Sequence, residues 1–444
     1  MDTQAQFIKI MRSFVADEPP ALDGGSVAAG DAAELIRCAA RQNLLPVLAY
    51  VNKKWKLFSD ASVTAQLDNI LYGAIAGNLN RCVDFEALSD IFTEHGIAHM
   101  PVKGYYLRGL YPLAELRAFG DIDILIRPSD RQKVHRLMLS LGYTVGHDWE
   151  PTYSYRKGSE YYEIHTNLMD GDLDGRSDLK AYFGEAWAHA VPDAGMRFMT
   201  EDDFHFTYTV CHLAKHLYGG GAGIRMYLDV AFYILRRGDR LDLAHIRAEF
   251  ERLRLDGFFF TVMNAVREWF GVDAPCPLPE PDREALGELL DYTLSADLFG
   301  HTRDRSVVRL REGGKSRKGV KSTGIGVFIG TVFPPAARIE SRYTFLIGRH
   351  WLLPVAWVVR IFANIRLIPA RIAEMRRVSR TGAAAVSVCF IYRRHGAEGC
   401  SRCRSSGVRR TQACICCPMS FSPAYIRQSR GALPRRAPNH TQTT

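Results

Sequence analysis

Apolar positions recur at helical spacing through the first part of the chain. Ala32-Ala33-Glu34-Leu35-Ile36-Arg37-Cys38-Ala39-Ala40 leads into Leu44-Leu45-Pro46-Val47-Leu48-Ala49-Tyr50, and Val83, Phe85, Leu88, Ile91 and Phe92 continue the pattern until Gly96 stops it. The period then changes. Residues 97–102 are short and apolar, and Gly104 opens a helical segment through Leu110. Ile122, Ile124 and Ile126 alternate with Asp121, Asp123 and Leu125, which predicts a strand. Ser129 is placed to cap a helix running through Leu141, ended by Gly142. Two strand-like runs, 152–156 and 161–168, flank a turn at Lys157-Gly158 and predict a hairpin. The helical period returns at Thr200-Glu201-Asp202-Asp203, an N-terminal capping signature; residues 204–218 supply its apolar face and Gly219-Gly220-Gly221 breaks it. Helices are expected to about residue 380, interrupted by a Gly/Lys/Ser-rich loop near 312–325.

The pattern predicts an α+β protein with a small mixed β-sheet core flanked by N-terminal and C-terminal helical regions. The expected division is a helical region over 1–95, a mixed core over 96–170, a second helical region over 171–380, and a distinct tail over 381–444. A chain of 444 residues with 47% hydrophobic positions is long enough for two or three cores, since domains commonly run to roughly 100–200 residues. No basic n-region followed by an apolar run opens the sequence. The most apolar late stretch, 351–359, carries Pro354 and falls short of the roughly 20 residues that a spanning helix needs. It reads as a buried or surface-docked helix. A cytoplasmic protein with no membrane partner is therefore expected.

The net charge of +9 changes this picture less than it first suggests. Residues 381–444 hold ten Arg, no Lys and a single acid, Glu398, so the tail carries the whole excess. The body is charge-neutral and gives no indication of nucleic-acid binding. Six of the ten cysteines (Cys389, Cys400, Cys403, Cys414, Cys416 and Cys417) also fall in the tail. Cys400-x2-Cys403 lacks the second Cys-x2-Cys of a zinc site. With no amphipathic period, the tail is expected to be disordered or an out-of-frame extension, outside the chemistry.

Candidate chemistry concentrates in the predicted core. On a strand, residues two apart project from one face, so Asp121 and Asp123 present two carboxylates together while Ile122 and Ile124 face the core. Carboxylates this close repel unless a cation bridges them, and hard oxygen ligands suit Mg²⁺, with Mn²⁺ as a substitute. Taken alone, an Asp-x-Asp is more often two solvated acids at a strand edge. Its context differs: Lys103-Gly104 lies at a strand-to-helix junction, where backbone N–H groups favour phosphate and Lys103 adds charge. Glu163 is the candidate third carboxylate and shares a strand face with His165. His212 and His216, four apart, share a helix face; without a following Glu the zinc-protease pattern is absent, and packing or a polar contact toward the cleft is favoured over metal. Arg225 and Asp229, one turn apart, read either as a helix ion pair or as part of an acceptor site.

The order Lys-Gly, Arg117-Ala118-Phe119-Gly120-Asp121-Ile122-Asp123-Ile124-Leu125-Ile126, then Glu163-Ile164-His165 resembles a family of uncharacterised bacterial nucleotidyltransferases within the polymerase-β-like superfamily. Residues 201–235, with Cys211-His212-Leu213-Ala214-Lys215-His216 and Arg225-Met226-Tyr227-Leu228-Asp229, are similar to that family's helical segment, and 333–360 to its late Phe-Pro and Leu-Pro region. The likeness spans about residues 30–380. It implies a nucleotidyltransferase core, Mg²⁺ bound by Asp121, Asp123 and Glu163, a nucleoside triphosphate donor bound by Lys103, Gly104 and Arg117, and attack by an unidentified acceptor hydroxyl with release of pyrophosphate. His165, His212, Arg225 and Asp229 would then lie toward the acceptor or behind the metal ligands. Two departures from the superfamily stand out: Lys-Gly replaces Gly-Ser or Gly-Gly, and Glu163 stands where Asp is more usual.

Two other functions fit parts of the pattern. A metal-dependent glycosyltransferase also uses Asp-x-Asp, but it places a nucleotide-binding α/β region before that motif, whereas the first 90 or so residues here read as helical. A non-catalytic nucleotide- or partner-binding protein on the same fold is the second alternative.

Overall fold

Asp60 opens the longest helix among the described residues by accepting from the backbone N–H groups of Ser62 and Val63, satisfying donors that a helix N-terminus leaves unpaired. The computed structural model describes residues 3–295 apart from 28, 29, 170, 172, 174–177, 220 and 275, together with 349–363. Its elements begin with helices α1 (Thr3–Ala16), α2 (Ala32–Arg41), α3 (Leu45–Trp55) and α4 (Ala61–Glu94). Gly96, at φ +58°, releases the chain from α4 into β1 (His99–Val102). There follow α5 (Lys103–Leu107), β2 (Ile122–Ile126), α6 (Arg131–Ser140), β3 (Thr144–Trp149), β4 (Thr152–Lys157), β5 (Glu160–His165), α7 (Leu179–Gly184), β6 (Ala190–Ala194) and β7 (Arg197–Thr200). The remaining described elements are α8 (Asp202–Gly219), α9 (Ile224–Arg237), α10 (Leu243–Arg252), α11 (Asp256–Phe270), α12 (Arg283–Ser295) and α13 (Leu353–Ala363).

The strands form a mixed seven-stranded sheet in the order β3-β4-β5-β2-β1-β7-β6. At its centre β2 runs antiparallel to β1 and parallel to β5. Both faces of β2 are covered, and all five of its residues are buried. Ile122, Ile124 and Ile126 pack with Phe85, Leu88 and Phe92 of α4 and Val134 and Met138 of α6. Leu125 joins Met100 and Val102 in the larger core built with the remaining helices. The alternation read from the sequence is therefore real, and the Asp-bearing face turns toward α8 and α9. The α+β fold is the expected one.

Several local expectations change. Ser129 does not cap α6; it lies within a 3-10 turn, Pro128–Asp130, and the helix starts at Arg131. The segment after Lys103 is a short helix to Leu107 followed by a 3-10 turn at Arg108–Leu110. Strands β3, β6 and β7 were not expected, and β6 and β7 fall in a stretch read as helical. All three carry weak signals for a physical reason. The strands β3 and β6 are the sheet's edges, and an edge strand needs no buried alternation. Gly146 sits in β3 and Pro192 in β6 beside register shifts, the positions where these residues are tolerated. Strand β7 joins the sheet through a short parallel pairing of Arg197 with His99.

Helix α13 leaves Trp351, just before it, 78% exposed; Ala356 is buried against Leu352, Leu353 and Trp357. Among the described residues no helix is long and apolar enough to cross a membrane. The expected loop near 312–325, residues 333–348 and the Cys/Arg-rich tail lie outside the described residues.

Candidate active site

The site begins where β1 ends. Lys103 adopts φ +50°, in the left-handed region that residues with a Cβ rarely occupy, and so turns the chain sharply into α5. Gly104 follows because nothing larger fits. A Cβ there would lie 2.8 Å from Arg117 Nη1 and 3.0 Å from Phe119 Cβ. The turn brings Lys103 Nζ to 2.6 Å from Asp123 Oδ1, to which it donates.

Parallel pairing of β2 and β5 sets Asp123 opposite Glu163 and Leu125 opposite His165. His165 donates from Nε2 to the same Asp123 oxygen, 2.8 Å away, and its Nδ1 lies 3.2 Å from the Thr152 hydroxyl on β4. Tyr161 donates its hydroxyl to Glu163 Oε1 at 3.2 Å. Ligating atoms of Asp123, Glu163 and His165 all lie within 4.8 Å of one another, a group able to hold a metal ion. Asp121 lines the same cavity but stands outside that cluster.

Charge is distributed unevenly over these acids. Burial opposes ionisation of Asp123, but Lys103 and His165 outweigh it and hold this carboxyl well below its usual range. Burial and the neighbouring Asp123 charge push Asp121 and Glu163 the other way, upward. Burial works against the Lys103 ammonium as well, and Asp123 more than compensates, so the amine stays charged. Burial and Lys103 keep His165 neutral.

Helices α8 and α9 form the opposite wall of a cavity of about 680 Å³. Tyr208, Thr209, His212, Lys215 and His216 reach it from α8, and Arg225, Met226 and Asp229 from α9. His212 and His216 touch through their Nε2 atoms at 3.1 Å. One nitrogen must donate and the other accept, so the rings hold different tautomers. Burial depresses both, His212 strongly and His216 to about 4.

The family described as "Uncharacterised nucleotidyltransferase" matches residues 28–271, more than half of the chain. The protein belongs to this family. Membership places it among the nucleotidyltransferases and implies a nucleotide substrate. The solution structure of the antibiotic-resistance factor ANT(2'')-Ia is similar at 12% identity, over 39% of this chain and 92% of that one, with a TM-score of 0.29. Comparison with curated proteins gives no match. The family match ends at Gly271, short of residue 380 or so, where the resemblance read from the sequence ends.

All eleven candidate residues singled out from the sequence of this nucleotidyltransferase line the same cavity: Lys103, Gly104, Arg117, Asp121, Asp123, Glu163, His165, His212, His216, Arg225 and Asp229. Their pairing differs from expectation in one respect. Arg225 and Asp229 do not form a helix ion pair. Asp229 instead receives Arg117 at both oxygens, Nε to Oδ1 at 3.1 Å and Nη2 to Oδ2 at 2.7 Å, and Tyr111 donates to Oδ1 at 2.8 Å. Arg225 donates to the Ala118 carbonyl at 2.6 Å. Other lining residues were not found from the sequence: Asn43, Thr152, Arg156, Tyr161 and Thr209. Thr152 and Tyr161 had a usable signal, since strand alternation on the predicted hairpin puts Tyr161 on the face of Glu163 and His165. Asn43, in the loop between α2 and α3, had none.

Proposed function

We propose that the protein transfers a nucleoside monophosphate from a nucleoside triphosphate to a hydroxyl acceptor, releasing pyrophosphate, with Mg²⁺ (or Mn²⁺ in its place) held by Asp121, Asp123 and Glu163. The observation that carries this reading is the register pairing of Asp123 with Glu163, which gathers acids far apart in sequence around one cavity. The donor set suits a hard divalent ion: one buried and two half-buried carboxylates, the latter two held above their usual range by desolvation and the Asp123 charge. Such an ion, when bound, neutralises phosphate charge and polarises the reacting phosphorus.

The chain's own groups have separable tasks. Lys103 and the backbone at Gly104 hold the phosphates. Arg117 gives Nε and Nη2 to Asp229 and Nη1 to the Ala118 carbonyl, so it acts on the nucleotide through the Gly104 turn beside it. The acceptor enters along the wall of His212, His216 and Arg225. Its hydroxyl oxygen forms a bond to the α-phosphorus while the bond to the bridging oxygen breaks, and the electron pair departs with pyrophosphate. Glu163, steadied by Tyr161 and raised in pKa, accepts the hydroxyl proton; a base nearer to neutrality is better matched to that transfer.

The test is incubation with each labelled nucleoside triphosphate and Mg²⁺, alongside candidate acceptors and the protein itself. Label transfer with stoichiometric pyrophosphate, lost in Asp123→Asn, is the expected result. Tight nucleotide binding that ignores Mg²⁺ and persists in Asp121→Asn/Asp123→Asn, without any transfer, would overturn the reading in favour of a binding protein.

A further inference from the structure

Asp123 is the most thoroughly satisfied of the three carboxylates read as metal ligands. It is 4% exposed, and its Oδ1 receives both Lys103 Nζ at 2.6 Å and His165 Nε2 at 2.8 Å. Asp121 and Glu163 line the same cavity, and the Lys103 ammonium sits on the central carboxylate of the three. Its side chain is 20% exposed and borders the cavity. The backbone that aims it there is in the left-handed region, unfavourable for any residue but glycine.

We propose that Lys103 is a stand-in cation: without nucleotide its ammonium occupies the place on Asp123 that a divalent ion takes, and an arriving triphosphate draws it away, so that metal and nucleotide enter together. The inference rests on the reading of these carboxylates as metal ligands. Lysine suits the task because its ammonium is a point charge on a flexible four-carbon stem. It can turn from carboxylate to phosphate within the cavity while the backbone stays in place. The exchange has a thermodynamic consequence. Whatever phosphate gains by holding the displaced ammonium appears as tighter metal binding, and the metal returns the same factor to the nucleotide. A free site guarded in this way binds metal poorly.

The test is Mn²⁺ binding to the nucleotide-free protein, followed by the paramagnetic signal of free Mn²⁺. Lys103→Met and Lys103→Gln, the second keeping length and a donor without charge, should each bind Mn²⁺ about tenfold or more tightly than wild type, since a full positive charge leaves the site. Adding a non-hydrolysable ATP analogue should tighten Mn²⁺ binding far more in wild type than in either variant. A readout on the unaltered protein covers the case in which a variant does not fold. Acetic anhydride should label Lys103 faster once Mn²⁺ saturates the nucleotide-free site, because the ammonium has been displaced from Asp123. Equal or weaker Mn²⁺ binding in the variants, or a labelling rate indifferent to Mn²⁺, overturns the role of Lys103 and leaves the metal site standing. No Mn²⁺ binding by any form, with nucleotide included, overturns the metal site itself and the inference with it.

Discussion

Asp123 and Glu163 are register partners on neighbouring parallel strands, and their carboxyls are pushed in opposite directions because only Asp123 has Lys103 and His165 hydrogen-bonded to its oxygen. Glu163 is left with Tyr161 and a raised pKa. That division of labour predicts a division of effects. Glu163→Gln should slow single-turnover transfer by roughly 10²–10⁴-fold, the usual worth of general-base assistance, while nucleotide affinity changes much less. Near-wild-type turnover would remove Glu163 from the chemistry.

The buried pair Arg117–Asp229 should be worth far more than the helix pair that the sequence suggests. A surface pair one turn apart on a helix contributes about 0.2–0.5 kcal/mol. Removing one partner of a buried bidentate pair strands a charge, at a cost of about 3–5 kcal/mol. Asp229→Ala should therefore cost several kcal/mol in denaturant unfolding. A loss below 1 kcal/mol would mean that Arg117 is not held as described.

Gly104 is required by space. In Gly104→Ala the new methyl meets Arg117, itself pinned by Asp229, and the rigid Phe119 Cβ. Overpacking of this kind costs typically about 1–3 kcal/mol, and here it also displaces the phosphate turn. Gly109→Ala, with nothing within 4 Å of the added carbon, is the control. Thermal unfolding should separate the two variants, and equal melting temperatures would contradict the close approach.

Acid stability should depend on His205. This ring is 1% exposed, stacks on Tyr106 and has no partner for Nε2 among the described residues. Burial pushes its pKa down to about 3, against about 6.5 in the unfolded chain. The unfolded state therefore binds the extra proton between these values. Its contribution is fully present above pH 6.5 and is lost as pH falls toward 3, at up to about 1.4 kcal/mol per pH unit. His205→Phe keeps the stacking and removes the titration, so unfolding free energy should fall less steeply between pH 6.5 and 4. An unchanged slope would show that His205 is solvated in the folded protein.

The local geometry of the site was legible in the residues themselves. A strand's two-residue period is a property of the backbone, so Glu163 and His165 share a face whatever surrounds them, whereas Asp121 falls just before β2 and only borders the cavity. The turn at Lys103-Gly104, the helix over 83–92 and the hairpin after Thr152 follow in the same way from spacing and turn chemistry. Strands β3, β6 and β7 were not legible, because edge and short parallel strands carry no alternation that burial would demand.

Partner choice belonged to the tertiary structure alone. That β5 lies beside β2, so that Glu163 meets Asp123, is a matter of strand order, which periodicity does not encode. That Asp229 takes Arg117 instead of Arg225, its neighbour one turn away on α9, is decided by packing, which aims the equally buried Arg225 at the Ala118 carbonyl. Both Arg117 and Asp229 are almost fully withdrawn from water, where an unpaired charge is costly, and the packing of α9 over the sheet supplies the compensating group. The sequence determined which side chains could face together, and the folded core determined which charges had to.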